Sequence, residues 1–464
     1  MLHRCLQRHD PVSISNKQRH ARGSASDEAK RVGFVLTLSR EKCSLLDGAG
    51  DQRRQGSRRC GRELAKMVLK CARDLLRFLR GEQKYRIVPL RKELTLRFGE
   101  IFAPGPIIRA MWDEQGELLQ LVGPETVDSL LFYEFRDMIV SPNRRGGFFL
   151  KDKEALIPRN GLPGIPRIFF SGTKVGRVTA QAGELLWVRN PRQTTFVPRA
   201  VFAGSMAPHN WFHWTIDNLP NLLAALRLPA EYSEWPILIP KVALERESWL
   251  KSLRLVIGNR PYLAVEPNDL YRVGELVVLD GVTRPAPRVL ASSVPGRIGI
   301  HQHGLRHFKE YVAAKAAADR SRGSIRRVFL MRDDGDVRSY NQDEILAIAE
   351  RFGFQAVSLR GVSLSDSVAI FSGAEAIAGP HGAGWAGLLF AEPETKALFW
   401  SWGGEIEDNW YENIAYVSEV NFAKISYSVA GQNGVSKSSQ DERDLDYFLN
   451  PAVFESALTR LMST

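Results

Sequence analysis

Short apolar runs alternate with helical segments between residues 326 and 400, and this alternation restricts the fold more than any other feature of the sequence. The apolar runs have the length of buried strands and are too short for helices. They are RRVFLM (326–331), FQAVSL, AIAG and KALFW (396–400). Strands that alternate with helices predict a parallel, doubly wound sheet.

Two helical segments separate these strands: NQDEILAIAERFG (341–353) and LSDSVAIFSGA. In the first, Asn341 is placed as the N-cap, Glu344 completes a capping box, and Gly353 follows the last turn. A doubly wound sheet carries such helices on both of its faces.

The preceding part of the chain contains the same elements in a less regular order. WPILIP (235–240) and ELVVLD (275–280) are strand-like, and the helical segment LERESWLKSLRLVIG lies between them. A further helix, rich in Ala and Lys, is expected over residues 304–323. A chain of 464 residues exceeds what one hydrophobic core usually serves. We therefore predict two Rossmann-like α/β domains that face a cleft, at residues 83–310 and 311–464.

The first 80 residues carry the charge imbalance of the whole chain. They hold 19 Lys+Arg and 8 Asp+Glu, whereas the remainder holds 44 of each, so the formal charge of +11 resides in this segment. Residues 1–62, rich in Arg, Ser, Gly and Gln, are predicted to be a disordered basic tail. Because the rest of the chain is neutral by count, the sequence does not support a nucleic-acid-binding surface on the folded part.

Residues 63–82 are predicted to form an amphipathic basic helix. Its basic positions, among them Lys66, Lys70 and Arg73, recur at helical spacing opposite an apolar face. Surface helices of this pattern commonly pack on a neighbouring domain, and we take this as the expected arrangement. The alternative is peripheral contact of residues 62–80 with an anionic membrane.

The cysteines and the hydropathy indicate a cytoplasmic protein. All four cysteines lie within the first 71 residues and none forms a C-x-x-C pair, so the remaining chain offers no disulfide framework or cysteine zinc site. No segment approaches the roughly 18 apolar residues that span a bilayer. The N-terminal sequence also lacks the apolar core of a secretory signal. The inner face of the membrane, reached through the basic helix, is the alternative location.

The segment HNWFHWTIDNLPNLL (209–223) concentrates aromatic and acid–base residues. Wound as an α-helix, it places four polar side chains within about 80° of one another, opposite the leucines: Asn210, His213, Asp217 and Asn221. His213 and Asp217, at i and i+4, are close enough for one to orient or charge the other. Pro220 should kink the helix and free a carbonyl. The polar stripe either faces a cleft or consists of side chains that only satisfy each other.

In AIAGPHGAGWAGLLF (376–390), a strand leads into a turn of small residues that opens a helix. The turn contains His381, Gly382, Ala383 and Gly384. Small residues let a ligand approach the backbone, and the N-terminus of a helix offers unpaired N–H groups to an anion. A purely structural turn is the alternative. The chain has neither G-x-G-x-x-G nor a P-loop, which argues against a dinucleotide dehydrogenase and a P-loop ATPase.

The segment FLMRDDGDVRSYN (329–341) places basic residues at the end of another strand. Arg332 directly follows the strand, and Arg338 and Asn341 complete a loop that opens a helix. Two arginines at the carboxyl end of a strand suit recognition of phosphate or carboxylate. The alternative is a solvated loop in which the arginines pair with neighbouring aspartates.

Two further patterns resemble metal sites, but we predict no metal at either. Asp334-Gly335-Asp336 matches an Asp-x-Asp metal signature, yet two-aspartate loops are frequent and the order of elements around this one is wrong. HQHGLRH (301–307) has metal-like histidine spacing without an acidic or cysteine ligand nearby, so the start of a surface helix is preferred. The lack of a G-x-S-x-G elbow and of a Cys–His arrangement argues against a hydrolase.

The three motifs together resemble glycosyltransferase family 61, the DUF563 group, which includes bacterial capsular-polysaccharide enzymes. The first resembles the family's Asn-aromatic-aromatic-His-Trp-x-x-Asp-x-Leu-Pro segment, and RVFLMRDDGDVRSYNQDEI resembles its strand-Arg-loop-Arg-x-x-Asn-x-x-Glu segment. GPHGAGWAGLLFAEP resembles its His-Gly-Ala-Gly turn. The resemblance covers about residues 200–400. Asn221 stands where Arg is common in the family, Gly387 where Asn is frequent, and Glu394 where Gly often follows Pro.

The resemblance implies a GT-B-type fold and an inverting, metal-independent glycosyltransferase. The co-substrate would be a nucleotide-diphosphate sugar, no cofactor would be needed, and the acceptor would be a glycan hydroxyl in cell-surface or capsular polysaccharide synthesis. Inverting transfer needs a base for the acceptor hydroxyl and positive charge or N–H groups for the departing diphosphate. We expect Asp217 as the base, with His213 as its orienting partner or substitute.

The remaining expected roles follow from the same resemblance. The acceptor-side domain would be residues 83–310 and the nucleotide-sugar-binding domain residues 311–464. Donor and phosphate contacts are expected from Arg332, Arg338, Asn341, His381, Gly382, Ala383 and Gly384. Acceptor-side contacts are expected from Asn210, Trp214 and Asn221.

Two alternatives belong to other functional classes. The first is a non-catalytic polysaccharide- or nucleotide-sugar-binding protein on the same fold, since a fold does not determine a function. The departures at Asn221 and Gly387 favour it. The second is a membrane-associated scaffold that acts through the basic N-terminal segment.

Overall fold

The computed structural model describes residue 66 and residues 76–77, 79–90, 92–108, 110–112, 118–121, 127–142, 146–157, 177–285, 298–317, 325–333, 338–402, 409–427 and 445–463. Residues 84–464 form one compact unit. The predicted basic tail and most of the predicted basic helix lie outside the described residues. Within the described part of the chain, no helix is both long enough and apolar enough to cross a membrane.

From Glu82 to Phe202, the described residues fold almost entirely as strands. They are β1 (Glu82–Pro89), β2 (Arg97–Ile108), β3 (Ala110–Trp112), β4 (Leu118–Leu121), β5 (Val127–Ser141), β6 (Phe148–Lys151), β7 (Glu154–Ile157), β8 (Val178–Ala182), β9 (Leu185–Arg189) and β10 (Thr195–Phe202). A single 3-10 turn, Lys92–Leu94, interrupts the described strands. The expected mixture of strands and helices is therefore wrong for this part. The long strand β5 pairs with antiparallel strands on both sides, which needs no crossover helix.

Helices enter the chain after β10. The following elements are helix α1 (residues 211–225), a 3-10 turn (Ala230–Tyr232), β11 (Ile237–Pro240), α2 (Val242–Glu245), α3 (Glu247–Ile257), β12 (Tyr262–Val265), β13 (Tyr271–Leu279), β14 (Thr283–Pro285), β15 (Ile298–His301) and α4 (Gln302–Ala317). The strands predicted at 235–240 and 275–280 and the helix between them are confirmed.

Thirteen of the described strands form one mixed sheet. Its first half is not the doubly wound parallel sheet that we expected. The strands β10, β11, β12 and β13 run parallel, in the spatial order β12-β11-β10-β13, and β13 then pairs antiparallel with β5; β1 and β7 form a further parallel pair. Within the parallel part, the strand order reverses between β10 and β13. Such a reversal is the place where open α/β sheets bind ligands.

The second sheet has the predicted alternation. Its strands are β16 (Arg327–Leu330), β17 (Gln355–Val357), β18 (Ala376–Pro380), β19 (Lys396–Trp402) and β20 (Asn421–Tyr427); the helices are α5 (Gln342–Arg351), α6 (Leu364–Ser372), a 3-10 helix (Ala383–Phe390), α7 (Trp410–Ser418) and α8 (Pro451–Ser463). All five strands are parallel, in the order β17-β16-β18-β19-β20. The order reverses between β16 and β18.

One apolar core fills the space between the two sheets. Helices from both halves of the chain contribute to it, for example Leu219 of α1, Phe308 of α4 and Phe371 of α6. On the other face of the second sheet, Phe329 packs with residues of α5 and α8 such as Phe454. The fold is therefore mixed α/β, with a shared helical layer between a large mixed sheet and a small parallel one.

Candidate active site

Helix α1 begins shortly after the carboxyl end of β10 and carries the first motif. Asn210 is its N-cap, because its side-chain oxygen accepts hydrogen bonds from the backbone N–H groups of Phe212 at 2.9 Å and His213 at 3.4 Å. The predicted acceptor-side residue Asn210 thus has a structural task, which is to set the start of the helix.

The expected kink at Pro220 is replaced by a π-helical segment. Trp214–Asn218 forms this segment, in which the Leu219 N–H donates to the Trp214 carbonyl. Pro220 follows in the α-helical remainder Leu219–Ala225. A proline lacks the N–H that an uninterrupted helix would need, and one wider turn re-pairs the neighbouring groups. The prediction of a break in the regular helix was right, and its form was not foreseen.

His213 and Asp217 form a hydrogen-bonded pair, the His–Asp pair. The Nδ1 atom of His213 lies 2.6 Å from Oδ2 of Asp217. The Asp217 side chain is fully buried, whereas 19% of the His213 side chain is exposed. Burial raises the pKa of Asp217, and the contact with His213 acts in the opposite direction. The second oxygen of Asp217 makes no hydrogen bond of good geometry to a described residue, although the nearby Thr283 hydroxyl also lowers this pKa.

Trp214 and Asn221 do not line a surface, contrary to the predicted acceptor-side role. Trp214 is completely buried, and its Nε1 donates to Ser252 Oγ at 2.8 Å. Asn221 is also buried, and its side-chain oxygen accepts from the Val282 N–H at 2.7 Å. The regular helical projection failed because the π-helical segment and the packing of α1 turn this stripe inward. Both residues hold α1 against its neighbours.

Arg332, Arg338 and His381 meet at the carboxyl ends of β16 and β18, and we refer to them as the Arg–His cluster. The Arg332 guanidinium donates to the His381 carbonyl, and Nη1 of Arg338 lies 3.1 Å from His381 Nδ1. All three side chains are half-buried. The second and third motifs, 49 residues apart at Arg332 and His381, therefore form one site at the strand-order reversal of the second sheet.

The contact with Arg338 determines the tautomer of His381. A guanidinium can only donate, so His381 Nδ1 accepts and the ring proton resides on Nε2. Arg338 itself has a left-handed backbone with φ of 67°. Arg332 is held at its backbone by Gln342, which accepts from the Arg332 N–H at 2.7 Å and donates to its carbonyl at 3.0 Å. The cluster is thus built on fixed backbone positions.

A cluster of aromatic residues lies next to the two arginines. Tyr340 and Tyr447 stack with ring centroids 5.2 Å apart, and the Tyr447 hydroxyl accepts from Trp400 Nε1 at 2.9 Å. Burial raises the pKa of Tyr447 to about 12, while the charges of Arg332 and Arg338 lower it. The two arginines therefore lie near a Tyr447 hydroxyl that stays neutral at physiological pH.

The small residues of the turn leave room beside the Arg–His cluster. Gly382 precedes the 3-10 helix, and no described residue accepts a hydrogen bond from the N–H of Gly382, Ala383 or Gly384. A Cβ built on Gly382 would have no atom nearer than 3.8 Å, whereas one on Gly384 would lie 2.6 Å from Leu359. An added Cβ at Gly384 would require the Leu359 side chain to move, whereas at Gly382 it would make only ordinary van der Waals contacts.

Asn341 lies beside this site but is engaged elsewhere, contrary to the predicted donor contact. Its side-chain oxygen accepts from the Leu449 N–H at 2.9 Å, and its nitrogen donates to Glu344 at 2.7 Å and to the Leu449 carbonyl at 3.0 Å. It caps α5 by position without the expected side-chain hydrogen bond to the helix backbone. Asn341 ties the chain before α8 to the start of α5.

Two of the three departures from the family pattern have a structural explanation. At Gly387, a Cβ would lie 2.2 Å from the ring of Phe371, so Phe371 occupies the space that a larger residue would need. Glu394 has a left-handed backbone with φ of 67°, the conformation for which glycine is favoured. The third, Asn221, is the buried residue that binds the Val282 N–H.

The histidines of HQHGLRH do not form a metal site. His301 is buried at the end of β15, where its Nε2 lies 3.0 Å from the Asp128 carbonyl and its Nδ1 accepts from the Gly304 N–H at 3.1 Å. Both ring nitrogens are therefore used, and α4 begins at the next residue. Within the described ranges, no group of three or more His, Cys, Asp or Glu side chains is arranged to bind a metal. Asp334 and Asp336 lie outside those ranges.

Trp410 and Tyr411, at the start of α7, were missed by the sequence analysis. The Trp410 ring centroid lies 5.3 Å from that of His213, and the Tyr411 centroid lies 5.3 Å from that of His381. Tyr411 also contacts Phe212 at 4.9 Å. One helical turn therefore touches both the His–Asp pair and the Arg–His cluster. The segment DNWYENIAY shows adjacent aromatic residues, but no sequence pattern indicated which helix they would contact.

Fold and site together define an α/β protein with two groups of functional side chains. Two arginines and open N–H groups lie at the strand-order reversal of the second sheet. An acid–base pair lies on α1, the helix that follows the strand-order reversal of the first sheet. Residues 211–398 match the model of the family Glycosyltransferase 61, which supports a glycosyltransferase activity at that general level. The resemblance seen in the three motifs is confirmed. No curated protein matches the chain.

Proposed function

We propose that this protein is an inverting, metal-independent glycosyltransferase that moves a sugar from a nucleotide-diphosphate donor to a glycan hydroxyl. The observation that carries the proposal is that α7 contacts both the His–Asp pair and the Arg–His cluster. Groups that can take a proton and groups that can hold an anion thus lie on two sides of the same helical turn. This is the arrangement that displacement of a diphosphate by a hydroxyl needs.

We assign the base to His213, with Asp217 as its orienting partner. Asp217 is fully buried and cannot reach an acceptor hydroxyl, whereas His213 is partly exposed. With Nδ1 donating to Asp217, Nε2 of His213 has the lone pair that takes the proton. Asp217 then stabilises the imidazolium that forms. The expected order of roles, with Asp217 as base, is therefore exchanged.

The bond changes of the step balance without a redox partner. The acceptor oxygen loses its proton to His213 and forms a bond to the anomeric carbon. The bond between that carbon and the diphosphate oxygen breaks from the opposite side, which inverts the configuration. The departing diphosphate gains negative charge, which the Arg332 and Arg338 guanidinium groups and the N–H groups of residues 382–384 would stabilise.

Two positive side chains and a set of open N–H groups suit a diphosphate without a divalent ion. The nearest aspartate that the structure describes, Asp333, is engaged by Ser358 at 3.0 Å and by Arg360 at 3.1 Å, and these contacts lower its pKa. It is thereby committed to a surface ion pair. We accordingly propose that the cations of the protein replace a metal in this reaction.

The finer biological assignments rest on the family. We infer a GT-B-type arrangement, in which residues 83–310 bind the acceptor and residues 311–464 bind the donor; the two sheets, each with a strand-order reversal, support it. We also infer a role in cell-surface or capsular polysaccharide synthesis on the cytoplasmic side. The matched family model is the support for this context.

Binding of nucleotides with and without EDTA tests the donor assignment. UDP, GDP and CMP and their sugars should be screened for a shift in melting temperature. We expect one nucleotide diphosphate to raise it, equally in EDTA. A shift that EDTA abolishes would overturn metal independence, and no shift with any nucleotide would overturn the donor assignment.

Transfer itself is tested with Asp217→Asn. A folded variant should transfer sugar far more slowly, because the tautomer and the stabilisation of the imidazolium are lost. An unchanged rate would eliminate the assigned pair. A wild-type protein that binds the nucleotide sugar and neither transfers nor hydrolyses it would instead be a binding protein on the same fold.

A further inference from the structure

The first turn of α7 connects elements that lie far apart in the sequence. Asn413 accepts from the Ala110 N–H at 2.7 Å and donates to the Ile298 carbonyl at 2.8 Å. Asn409 accepts from the Ile298 N–H at 3.0 Å and donates to the Ala110 carbonyl at 3.2 Å. Both asparagines are buried. Their amide groups thus hydrogen-bond to the backbone N–H and carbonyl groups of both Ala110 and Ile298, as a neighbouring strand would.

This network is expensive to disturb because it is buried and complete. Ala110 begins β3 and Ile298 begins β15, which belong to the first half of the chain. Removal of the Asn413 side chain would take away the side-chain acceptor of the Ala110 N–H, and removal of the Asn409 side chain that of the Ile298 N–H. The network therefore fixes the start of α7 to strands of the first half.

Two of the three residues between these asparagines contact the two halves of the site. Trp410 packs edge-on against His213, with an interplanar angle of 80°. Tyr411 packs against His381 and Phe399, and its hydroxyl donates to the Gly382 carbonyl at 3.3 Å. Trp410 is buried and Tyr411 is half-buried. Each ring thus holds one chemically active group from the side of α7.

We propose that residues 409–413 are a positioning element, in which Asn409 and Asn413 anchor the turn, Trp410 positions His213, and Tyr411 positions the His381–Gly382 turn. The element sets the separation between the base and the diphosphate site. The positioning by Trp410 and Tyr411 rests on the proposed function, whereas the anchoring by Asn409 and Asn413 does not. Transfer needs the reacting atoms within a few tenths of an ångström of their productive positions, so a small displacement of α7 is costly.

The anchoring part is tested by hydrogen–deuterium exchange on Asn413→Ala and Asn409→Ala. We expect exchange at the Ala110 amide to rise at least about tenfold in the first variant, and at the Ile298 amide in the second. Asn421→Ala is the matched control, because Asn421 is exposed and its side chain is hydrogen-bonded to Glu394. Unchanged protection at both amides would overturn the anchor.

The positioning part is tested by Trp410→Leu and Tyr411→Leu, with Tyr411→Phe as the conservative variant. Loss of the Trp410 ring should lower kcat about 10- to 100-fold with the affinity for nucleotide diphosphate unchanged. Loss of the Tyr411 ring should also weaken that affinity, and Tyr411→Phe should restore most of it. Tyr416→Phe, on the same helix, is the control and should match the wild type.

The outcomes separate this inference from the proposed function. If Trp410→Leu lowers kcat and affinity in equal proportion, the ring has only a structural role and the positioning part fails. If exchange rises as expected in the asparagine variants, but kcat and the affinity for nucleotide diphosphate stay at their wild-type values in the Trp410 and Tyr411 variants, the anchoring part is supported and the positioning part is rejected. If the wild type transfers no sugar, the proposed function and positioning fail together, and the exchange result still decides the anchor.

Discussion

The His–Asp pair and the Arg–His cluster are built in opposite ways. The pair is local: two residues one turn apart on α1, with the carboxylate fully buried. The cluster is non-local, since its members follow β16 and β18 and remain half-buried. Burial makes a carboxylate dependent on its single partner, whereas a half-buried cation keeps part of its hydration. The comparison teaches that the pair is suited to moving a proton and the cluster to binding charge from solution.

The two sites should therefore respond differently to mutation. Changes in the pair should act on the rate of the chemical step and leave donor affinity intact. Changes in the cluster should act on donor affinity and, through the leaving group, on the rate. Four predictions examine this distinction.

Removal of the base should have the largest effect. His213→Ala should lower kcat about 10²- to 10⁴-fold, the range that general base catalysis contributes. Calorimetry should find the affinity for nucleotide diphosphate unchanged. His303→Ala, at an exposed histidine of α4, is the control. A loss of affinity in His213→Ala as large as the loss of rate would remove the distinction between the two sites.

Removal of one cation should have the next largest effect. Arg338→Ala should weaken nucleotide-diphosphate binding about 10- to 100-fold, because charge-assisted hydrogen bonds contribute about 1.5–3 kcal/mol. Arg326→Ala is the matched control, since Arg326 precedes the opposite end of β16 and its side chain is 80% exposed. Equal affinities of the two variants in a titration would show that Arg338 does not bind the donor.

Substitutions at two glycines of the same segment should distinguish an effect on ligand binding from an effect on packing. Gly387→Ala places a Cβ against Phe371 and should destabilise the fold by about 1–3 kcal/mol. Gly382→Ala should change the free energy of unfolding by less than about 0.5 kcal/mol, because its Cβ would make only ordinary van der Waals contacts. Urea denaturation gives both values. Only Gly382→Ala should weaken diphosphate binding in a folded protein, and unaltered binding would show that the diphosphate does not approach this backbone.

The smallest predicted effect is a dependence of stability on pH. Because burial raises the pKa of Asp217 above the value of 3.8 found in unfolded chains, the folded state holds this proton more tightly. Its contribution is complete below pH 3.8 and is lost as the pH rises through the raised pKa. Asp217→Asn should thus gain stability relative to the wild type as the pH rises above 3.8 and through the raised pKa of Asp217, as measured by denaturation at each pH. A constant difference would contradict the raised pKa.

The second sheet could be predicted almost completely from the sequence. Strands and helices of 326–400 alternate with clear periods, and each parallel crossover needs a helix, so local pattern and topology agree. The first sheet could not. Its strands β1 to β10 combine short hairpins with pairings to distant strands, such as β2 with β15 and β5 with β13, and no local period distinguishes them from the short strands of an α/β domain.

The site shows the same limit. Arg332 and His381 were predicted correctly as neighbours, because the carboxyl ends of parallel strands meet at one edge. The burial of Trp214 and Asn221 was not predictable from a helical projection, because that projection assumes a regular helix. Trp410 and Tyr411 were missed since their partners lie nearly 200 residues away or on another strand, and pairing at such range leaves no local signal.

The π-helical segment has a consequence for reading related sequences. A π-helical turn contains one residue more than the α-helical turn that could replace it, so it corresponds to a single-residue insertion into an older, regular helix. A one-residue deletion between Trp211 and Pro220 would leave nearly all residues of the motif in place. It would nevertheless rotate the side chains before the deletion by about 100° about the helix axis relative to those after it. In an alignment of homologues, a gap between His213 and Asp217 would therefore disrupt the His–Asp pair, even where its histidine and aspartate are retained.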